Sequence, residues 1–354
     1  MTLPRQLHLG LSLAAAAALV GCGGQSHAAG RQGAAATTRA GSGGAGTRRA
    51  PAPLLVQTGA SSRAWTALPG TLVTRTEVAA ARVGDAVYVV GGFDERSGSS
   101  TTTVERLDLR SGRWSLTRPM PVALNHMGVA GYGGSLYVVG GYRSASDTNS
   151  GATNSFWRYD PATGRWSAMP PAPTPRAAFA TAVLGDRLYA AAGRNDATFA
   201  LRTVDVFDFS QRRWLAAPSL NVAREHVAGA AADGAVYVLG GRERGIGYFS
   251  TVERYVPNSG RWQELPSMPV ERSGFEAATV SGRLIAVGGE AGQGVIAEVD
   301  SMNLATGTWQ RLPPMRTPRH GLGVVSVGPV LLSIEGGPVA GLSYSRAVER
   351  LLVR

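Results

Sequence analysis

Arginine recurs along the chain at places where it is able to bind an anion. Five arginines each precede a run of small apolar residues, and an asparagine stands at the corresponding place in a sixth segment: Arg75, Asn125, Arg176, Arg224, Arg272 and Arg319. A guanidinium donates two parallel hydrogen bonds to a carboxylate, so several of them around one opening suit an acidic ligand. Aromatic residues in the adjoining loops would add apolar or stacking surface: Tyr142, Phe199, Tyr248 and Tyr344. We predict that these residues bind an acidic sugar or an acidic protein segment.

The same arginines also have a purely structural interpretation. Glu77, Glu225 and Glu276 lie close to them in the sequence. Ion pairs with these carboxylates would hold the segments together without any ligand, since paired charges mark structural networks as well as binding sites. Both interpretations are compatible with the sequence.

Histidine and glutamate form a second candidate site. Beyond residue 60 the histidines are His126, His226 and His320, each at the start of one of the small-residue runs. Glu77, His126 and His226 each stand seven residues before the Gly or Asp of the following tight turn, so they belong at one level. Two imidazoles and a carboxylate can hold a divalent metal. Because they come from three different segments, whose separation the spacing does not define, we predict no metal and no other cofactor.

A regular repeat positions these residues. Tryptophans recur every 47 to 52 residues, at Trp65, Trp114, Trp166, Trp214, Trp262 and Trp309. Glycine pairs follow in step at 91–92, 140–141, 240–241, 288–289 and 336–337, with Ala192 and Gly193 in the third copy. Each copy contains four short strand signals separated by turns, such as "EVAAARV" and "AVYVVGG". The sequence therefore consists of six similar units of four strands.

This pattern resembles the kelch repeat, whose period is about 50 residues and whose units form the blades of β-propellers. The resemblance implies an all-β fold: a six-bladed kelch-type β-propeller over residues 61–354. The last unit has no tryptophan segment of its own, so the segment at Trp65 is expected to supply the outer strand that closes the last blade. The long connections after the glycine pairs all fall on one side, which is where binding residues concentrate.

The glycine pairs are predicted to be architectural. The preceding Tyr and Val residues favour strands, and buried strands need not alternate with polar residues. Glycine at the end of such a strand indicates a positive φ or a close approach of another backbone. A phosphate-binding role would require a following helix, which the pattern does not contain.

The amino terminus is typical of an exported protein. Residues 1–21 contain an apolar run too short to span a bilayer, and the sequence "LVGC" ending at Cys22 resembles a bacterial lipobox. We predict a signal peptide over 1–21, lipidation of Cys22, a disordered tether over 22–60 and attachment to the outer face of a bacterial membrane. An ordinary secretory signal with an incidental cysteine is the alternative.

Composition limits the functional classes. The net charge is +11, but part of it lies in the tether, and no basic stripe with interleaved aromatics is present, so we predict no nucleic-acid binding. Copper-radical oxidases that share the kelch architecture require a cysteine cross-linked to tyrosine, and Cys22 is the single cysteine. We interpret the protein as a binding module for an acidic ligand or an envelope protein, without catalysis. The alternative, suggested by the resemblance to exported sialic acid mutarotases, uses Arg224 or Arg272 for a sugar carboxylate and Glu225, His226 or Glu276 as acid and base.

Overall fold

The regular secondary structure is entirely β in the residues that the computed structural model describes, which are 61–145, 149–292 and 294–354. The predicted all-β class is confirmed. In these ranges no helix is present that would be able to cross a membrane. The predicted signal peptide, Cys22 and the tether lie outside the described residues.

The strands in the described ranges are short and have two to five residues each. In chain order they are β1 (Thr66–Leu68), β2 (Arg75–Thr76), β3 (Ala79–Val83), β4 (Ala86–Val90), β5 (Phe93–Asp94), β6 (Ser99–Ser100), β7 (Val104–Asp108), β8 (Trp114–Leu116), β9 (Gly128–Tyr132), β10 (Ser135–Val139), β11 (Phe156–Asp160), β12 (Arg165–Ala168), β13 (Ala180–Leu184), β14 (Arg187–Ala191), β15 (Val204–Asp208), β16 (Arg213–Ala217), β17 (Ala228–Ala232), β18 (Ala235–Leu239), β19 (Arg242–Glu243), β20 (Gly247–Tyr248), β21 (Val252–Tyr255), β22 (Trp262–Leu265), β23 (Glu276–Val280), β24 (Arg283–Val287), β25 (Glu290–Ala291), β26 (Gly294–Val295), β27 (Val299–Asn303), β28 (Trp309–Leu312), β29 (Gly323–Val327), β30 (Val330–Ile334) and β31 (Val348–Leu352).

Six four-stranded antiparallel sheets account for most of these strands within the described ranges. We number them along the chain: sheet 1 (β3-β4-β7-β8), sheet 2 (β9-β10-β11-β12), sheet 3 (β13-β14-β15-β16), sheet 4 (β17-β18-β21-β22), sheet 5 (β23-β24-β27-β28) and sheet 6 (β29-β30-β31-β1). The sixth combines both ends of the described chain, because β1 pairs with β31. This organisation is consistent with a β-propeller.

The first strands of the sheets lie beside one another. In contact order they are β3, β9, β13, β17, β23 and β29, and β29 also contacts β3. The second strands are buried at almost every position, β4, β10, β18 and β30 completely. Their Tyr, Val and Leu side chains pack against the sheets on both sides, which explains why the sequence does not alternate. The hydrophobic clusters accordingly combine residues of neighbouring sheets.

The glycine pairs lie where adjacent sheets meet, as predicted. In sheet 2, Gly140 and Gly141 have φ values of 64° and 94°. A Cβ on Gly140 would be 2.5 Å from the carbonyl oxygen of Arg176 in the next sheet. The Gly141 amide donates to that same oxygen at 2.8 Å. Glycine is favoured by this conformation and by so close an approach, although Ala192 has the same kind of conformation, with a φ of 63°, at the equivalent position of sheet 3.

Candidate functional site

The five predicted arginines lie inside the protein. Each has a relative exposure of 0% and an acidic partner on the third strand of the four-stranded sheet whose first strand follows it. The pairs are Arg75–Glu105, Arg176–Asp205, Arg224–Glu253, Arg272–Asp300 and Arg319–Glu349. The prediction that these guanidiniums form an accessible ring for an anionic ligand is therefore wrong, because they are buried and already paired. The proposed pairing with Glu77, Glu225 and Glu276 is also wrong.

Arg224 shows what the buried guanidinium does. It donates to the Glu253 carboxylate at 2.8 Å and to the carbonyl oxygens of Gly240 and Thr251 at 2.8 and 3.1 Å. Burial lowers the pKa of Arg224, and the charge of Glu253 opposes that shift. The Arg224 side chain thus links the glycine pair at the end of β18 to the Glu253 carboxylate.

Sheet 2 departs from this pattern, and the expected role of Asn125 is corrected accordingly. Asn125 forms an isolated bridge with Tyr142, as Ala177 does with Arg194, so it corresponds to the residue after the arginine. Leu124 therefore occupies the arginine position. Across the sheet, Trp157 pairs with Val138 as Glu105 pairs with Val89 in sheet 1. An apolar pair thus replaces the ion pair in this one sheet.

The predicted aromatic residues have different environments. Tyr142 is fully buried, so its expected role as ligand-contacting surface is wrong. Phe199 is half-buried between two guanidiniums, with Arg194 and Arg244 lying 4.6 and 4.7 Å from its ring centroid. Tyr248 lines a cavity, and Tyr344 is half-buried.

The residue two positions after each buried arginine, or after Leu124, has a positive φ in every sheet. These six equivalent residues are Glu77, His126, Ala178, His226, Gly274 and Gly321, with φ between 50° and 59°. Backbone hydrogen bonds join them in sequence: each amide from His126 to Gly321 donates to the carbonyl of the preceding member, and Val78 donates to Gly321. The side chains of Glu77, His126 and His226 are thereby held at one level, as predicted.

These three side chains converge. The potential donor atoms of Glu77, His126 and His226 all lie within 4.8 Å of one another. Glu77 Oε2 and His126 Nε2 are 3.0 Å apart, and the Nε2 atoms of His126 and His226 are also 3.0 Å apart. Their origin in sheets 1, 2 and 4 does not separate them, because Ala178 between His126 and His226 has only a methyl group.

A polar network surrounds the three residues. His226 Nδ1 bonds to the Glu225 carboxylate, which is fully buried and accepts a hydrogen bond from Arg242 Nε at 2.6 Å. Arg242 also donates to Glu290 at 2.7 Å. His320 Nδ1 lies 3.2 Å from Glu77 Oε1. The network thus fixes the planes of the His126 and His226 rings and leaves the two Nε2 atoms facing each other.

Burial and charge perturb the ionisation of this network. Burial alone would raise the pKa of Glu77, but the charge and hydrogen bonds of His126 and His320 hold it well below its usual value. Burial would also raise the pKa of Glu225, but the charges and hydrogen bonds of His226 and Arg242 lower it to about 2. Burial would lower the pKa of His320, yet Glu77 raises it to about 9. Burial lowers the pKa of His226 despite Glu225.

Three cavities lie along this part of the protein. The largest, about 310 Å³, is bounded by Glu77, His126, His226 and His320 on one side. On the other side it is bounded by residues of the long connections: Phe93, Asn149, Arg242, Tyr248, Glu290, Gly341 and Leu342. We call it the mouth cavity. A cavity of about 50 Å³ adjoins the same three residues, and both it and a third, of about 150 Å³, are bordered by Glu276.

The mutarotase alternative loses the residues on which it depended. Arg224 and Arg272 are buried in ion pairs, so neither can bind a sugar carboxylate. Glu225 is enclosed between His226 and Arg242 and does not border the mouth cavity. Of the proposed residues, only His226 lines it.

Sequence reasoning missed Arg242 and Glu290. Both directly follow a glycine pair, at the position that Phe93 and Tyr142 occupy in sheets 1 and 2. A charged residue in place of an aromatic at one repeat position was the available signal.

The protein families and proteins that this chain matches are similar to it over its repeats. Residues 43–221, slightly more than half of the chain, match a model described as the KLHDC2/KLHL20/DRC7 Kelch-repeats domain, and 223–269 and 271–316 each match the Kelch motif. Kelch-like protein terF of Aspergillus terreus is 37% identical over 139 residues, covering 36% of this chain and 30% of that protein. Beta-scruin of Limulus polyphemus is 28% identical over 156 residues (42% and 17%), and human Kelch-like protein 34 is 30% identical over 132 residues (37% and 20%). The chain thus spans less than a third of the length of these relatives.

Proposed function

The chain belongs to the kelch-repeat family, and from this premise we propose that residues 61–354 form a closed six-bladed β-propeller that binds a protein partner without catalysis. Kelch repeats generally act as protein-interaction modules. The four-stranded sheets are the blades of this proposal, and β1 closes the last of them through its pairing with β31.

Two sets of hydrogen bonds support the closed arrangement. The backbone bonds described above run from Glu77 through each sheet and return at Val78. At the outer strands, each tryptophan indole donates to a carbonyl at the end of the preceding sheet's outer strand: Trp65 to Pro313, Trp114 to Pro69, Trp166 to Arg118, Trp214 to Pro170, Trp262 to Pro218 and Trp309 to Pro266. This recurrence explains the tryptophan period, since each indole fastens one sheet to its neighbour.

The observation that carries the binding proposal is the convergence of the long connections on the mouth cavity. Residues of five connections, those after β4, β10, β18, β24 and β30, line it. Large apolar side chains are exposed in two of them: Ile246 is 69% exposed, Val339 65% and Leu342 41%. Exposed apolar residues around a concave polar site are typical of an interaction surface.

Arginines on the connections after β10, β14 and β18 favour an acidic partner segment. Arg143 and Arg244 are exposed, and Arg194 is half-buried beside Phe199. Two guanidiniums against one aromatic ring combine bidentate donors with apolar surface, a pairing that suits carboxylate side chains. The acidic ligand predicted from the sequence is thus retained, with Arg143, Arg194 and Arg244 in place of the buried arginines.

Site-specific photocrosslinking in cells that naturally produce the protein tests this proposal. A photoreactive residue at position 246 or 342 is expected to give one discrete crosslinked product, because both side chains lie on the proposed binding face. The matched control is position 116, where Leu116 is 61% exposed but lies on the outer strand β8.

Arg143→Ala combined with Arg244→Ala is expected to reduce the crosslinked product several-fold. Equal crosslinking from position 116, or no product from positions 246 and 342, would contradict the proposed face. A product that survives the double substitution would contradict the acidic character of the partner.

We further propose that the propeller is held at the outer face of a bacterial membrane by a lipid on Cys22, with residues 22–60 as the tether. The support is the "LVGC" segment after a short apolar run. Cell fractionation is expected to recover the protein with membranes and the Cys22→Ser variant in the soluble exported fraction. Unchanged membrane association of the variant would mean that another feature retains the protein.

A further inference from the structure

We propose that Glu77, His126 and His226 bind one divalent transition metal ion, for which Zn²⁺ is the best match, at the inner end of the mouth cavity. Two imidazole nitrogens and one carboxylate form a donor set found in zinc sites that keep an open coordination position. This inference is independent of the identity of the protein partner.

The separation of the donor atoms suits a single ion. Two nitrogens bound to Zn²⁺ at 2.0–2.1 Å with a tetrahedral angle lie about 3.3 Å apart. The Nε2 atoms of His126 and His226 are 3.0 Å apart, as are His126 Nε2 and Glu77 Oε2. The third separation, between Glu77 and His226, is within 4.8 Å, so a side-chain movement that shortens it would place all three atoms around one ion.

Hydrogen bonding determines which ring nitrogen of His126 faces the ion. The Ser100 hydroxyl donates to the Ser144 carbonyl at 2.6 Å, so its oxygen accepts from Asn125 Nδ2 at 2.7 Å. The amide oxygen of Asn125 then faces His126 Nδ1 at 2.5 Å. An amide oxygen only accepts, so His126 Nδ1 carries the hydrogen.

The same argument applies to His226. Its Nδ1 faces the Glu225 carboxylate, which accepts and also binds Arg242. With both Nδ1 atoms donating, the Nε2 atoms of His126 and His226 face each other across 3.0 Å, and His126 Nε2 also faces Glu77 Oε2 at 3.0 Å. Lone pairs on all of these atoms would repel one another, so either a proton on one Nε2 or a metal ion lies among them, and a metal ion binds both nitrogens and the Glu77 oxygen at once.

Each proposed ligand has an outer partner. Asn125 orients His126, Glu225 orients His226, and His320 Nδ1 holds the second oxygen of Glu77 at 3.2 Å. His320 Nε2 lies 3.1 and 3.0 Å from the carbonyl oxygens of Val339 and Gly341, so this histidine donates through both nitrogens and is not a ligand. Such outer partners are typical of metal-binding histidines and carboxylates.

Charge and space both favour a cation here. The carboxylates of Glu77, Glu225 and Glu290 face two cations, Arg242 and the doubly donating His320, which leaves one net negative charge. At the same level, Ala178, Gly274 and Gly321 contribute no side chain beyond a methyl group. The remaining coordination positions are therefore open to water or to an oxygen ligand from the mouth cavity.

Calorimetric titration of the chelator-treated full-length protein with Zn²⁺ tests the proposal. We expect one equivalent to bind, and we expect Co²⁺ at the same site to give the visible absorption of an ion with nitrogen ligands. Glu225→Gln is expected to weaken Zn²⁺ binding about 10–100-fold, because loss of an outer partner has that effect. His126→Gln and His226→Gln are expected to weaken it more.

The controls separate this site from other metal-binding groups. Glu276→Gln removes a carboxylate from the adjoining cavity but not from the donor set, so it should retain full Zn²⁺ affinity. The His126→Gln/His226→Gln double variant reports zinc bound by other groups of the chain, such as His27 and, in the unprocessed protein, His8 and Cys22. If the wild type binds no more Zn²⁺ than this variant, or gives no Co²⁺ absorption while unfolding cooperatively, the two histidines share a proton and the metal proposal is overturned.

Discussion

Replacement of Arg224 by leucine is expected to lower the free energy of unfolding by about 3–5 kcal/mol, because it leaves the Glu253 carboxylate buried without its partner. The carbonyls of Gly240 and Thr251 also lose a donor. Urea denaturation monitored by tryptophan fluorescence measures the change. Arg261→Leu is the matched control: Arg261 is exposed at the turn before β22 in the same sheet, and its loss should change stability by less than about 0.5 kcal/mol.

A double variant distinguishes the ion pair from simple loss of packing. Arg224→Leu with Glu253→Leu is expected to be less destabilised than the sum of the single changes, since no unpaired charge then remains. Sheet 2 is a natural precedent, because Leu124 and Trp157 occupy these two positions. In sheet 4 the backbone amide of Asn221 donates to the Glu253 carboxylate at 2.8 Å. The equivalent residue of sheet 2 is Pro121. A cost below about 1 kcal/mol for Arg224→Leu would contradict a structural role for the guanidinium, since breaking a buried ion pair costs several times as much.

The buried arginines show where sequence reasoning fails for this fold. Charged side chains are rarely buried without a partner, so an arginine at the end of a loop is normally assigned to the surface. The partner lies 28 to 30 residues later, on the third strand of the same sheet. An acidic residue recurs at that distance after every one of the five arginines, and Trp157 replaces it where Leu124 replaces the arginine. This covariation within the repeat is visible in the sequence, but its meaning depends on the strand pairing.

The architecture itself was largely predictable. The tryptophan and glycine periods reflect contacts that occur in every sheet, so each copy reports the same local geometry independently. The convergence of Glu77, His126 and His226 was predictable only in part. Counting to the next turn correctly placed them at one level, but the distances across that level depend on how closely the first strands approach. Small side chains at the intervening positions, such as Ala178, permit that approach.

Glu276→Gln is expected to stabilise the protein in alkaline solution. Burial raises the pKa of Glu276 to about 8. The side chain borders two cavities together with Met127 and Phe179, and no described residue supplies a side-chain hydrogen bond or ion pair to it. A carboxyl whose pKa is raised on folding binds a proton in the native state that the unfolded chain has released. Stability therefore falls as the pH rises from about 4.5 to about 8, and remains lower above that range.

Glutamine resembles the protonated acid and does not titrate, so the variant should lack this loss. We expect its free energy of unfolding to exceed that of the wild type by about 3 kcal/mol at pH 9 and to match it near pH 4. Each unit of pKa shift corresponds to 1.36 kcal/mol, and the partial exposure of Glu276 reduces the full effect. Urea unfolding with chelator at a series of pH values measures the difference. Other groups, including His320, titrate in both proteins and cancel. Glu264→Gln, at an exposed site, should show no such trend. A difference independent of pH would mean that Glu276 is already ionised and stabilised between the two cavities that it borders.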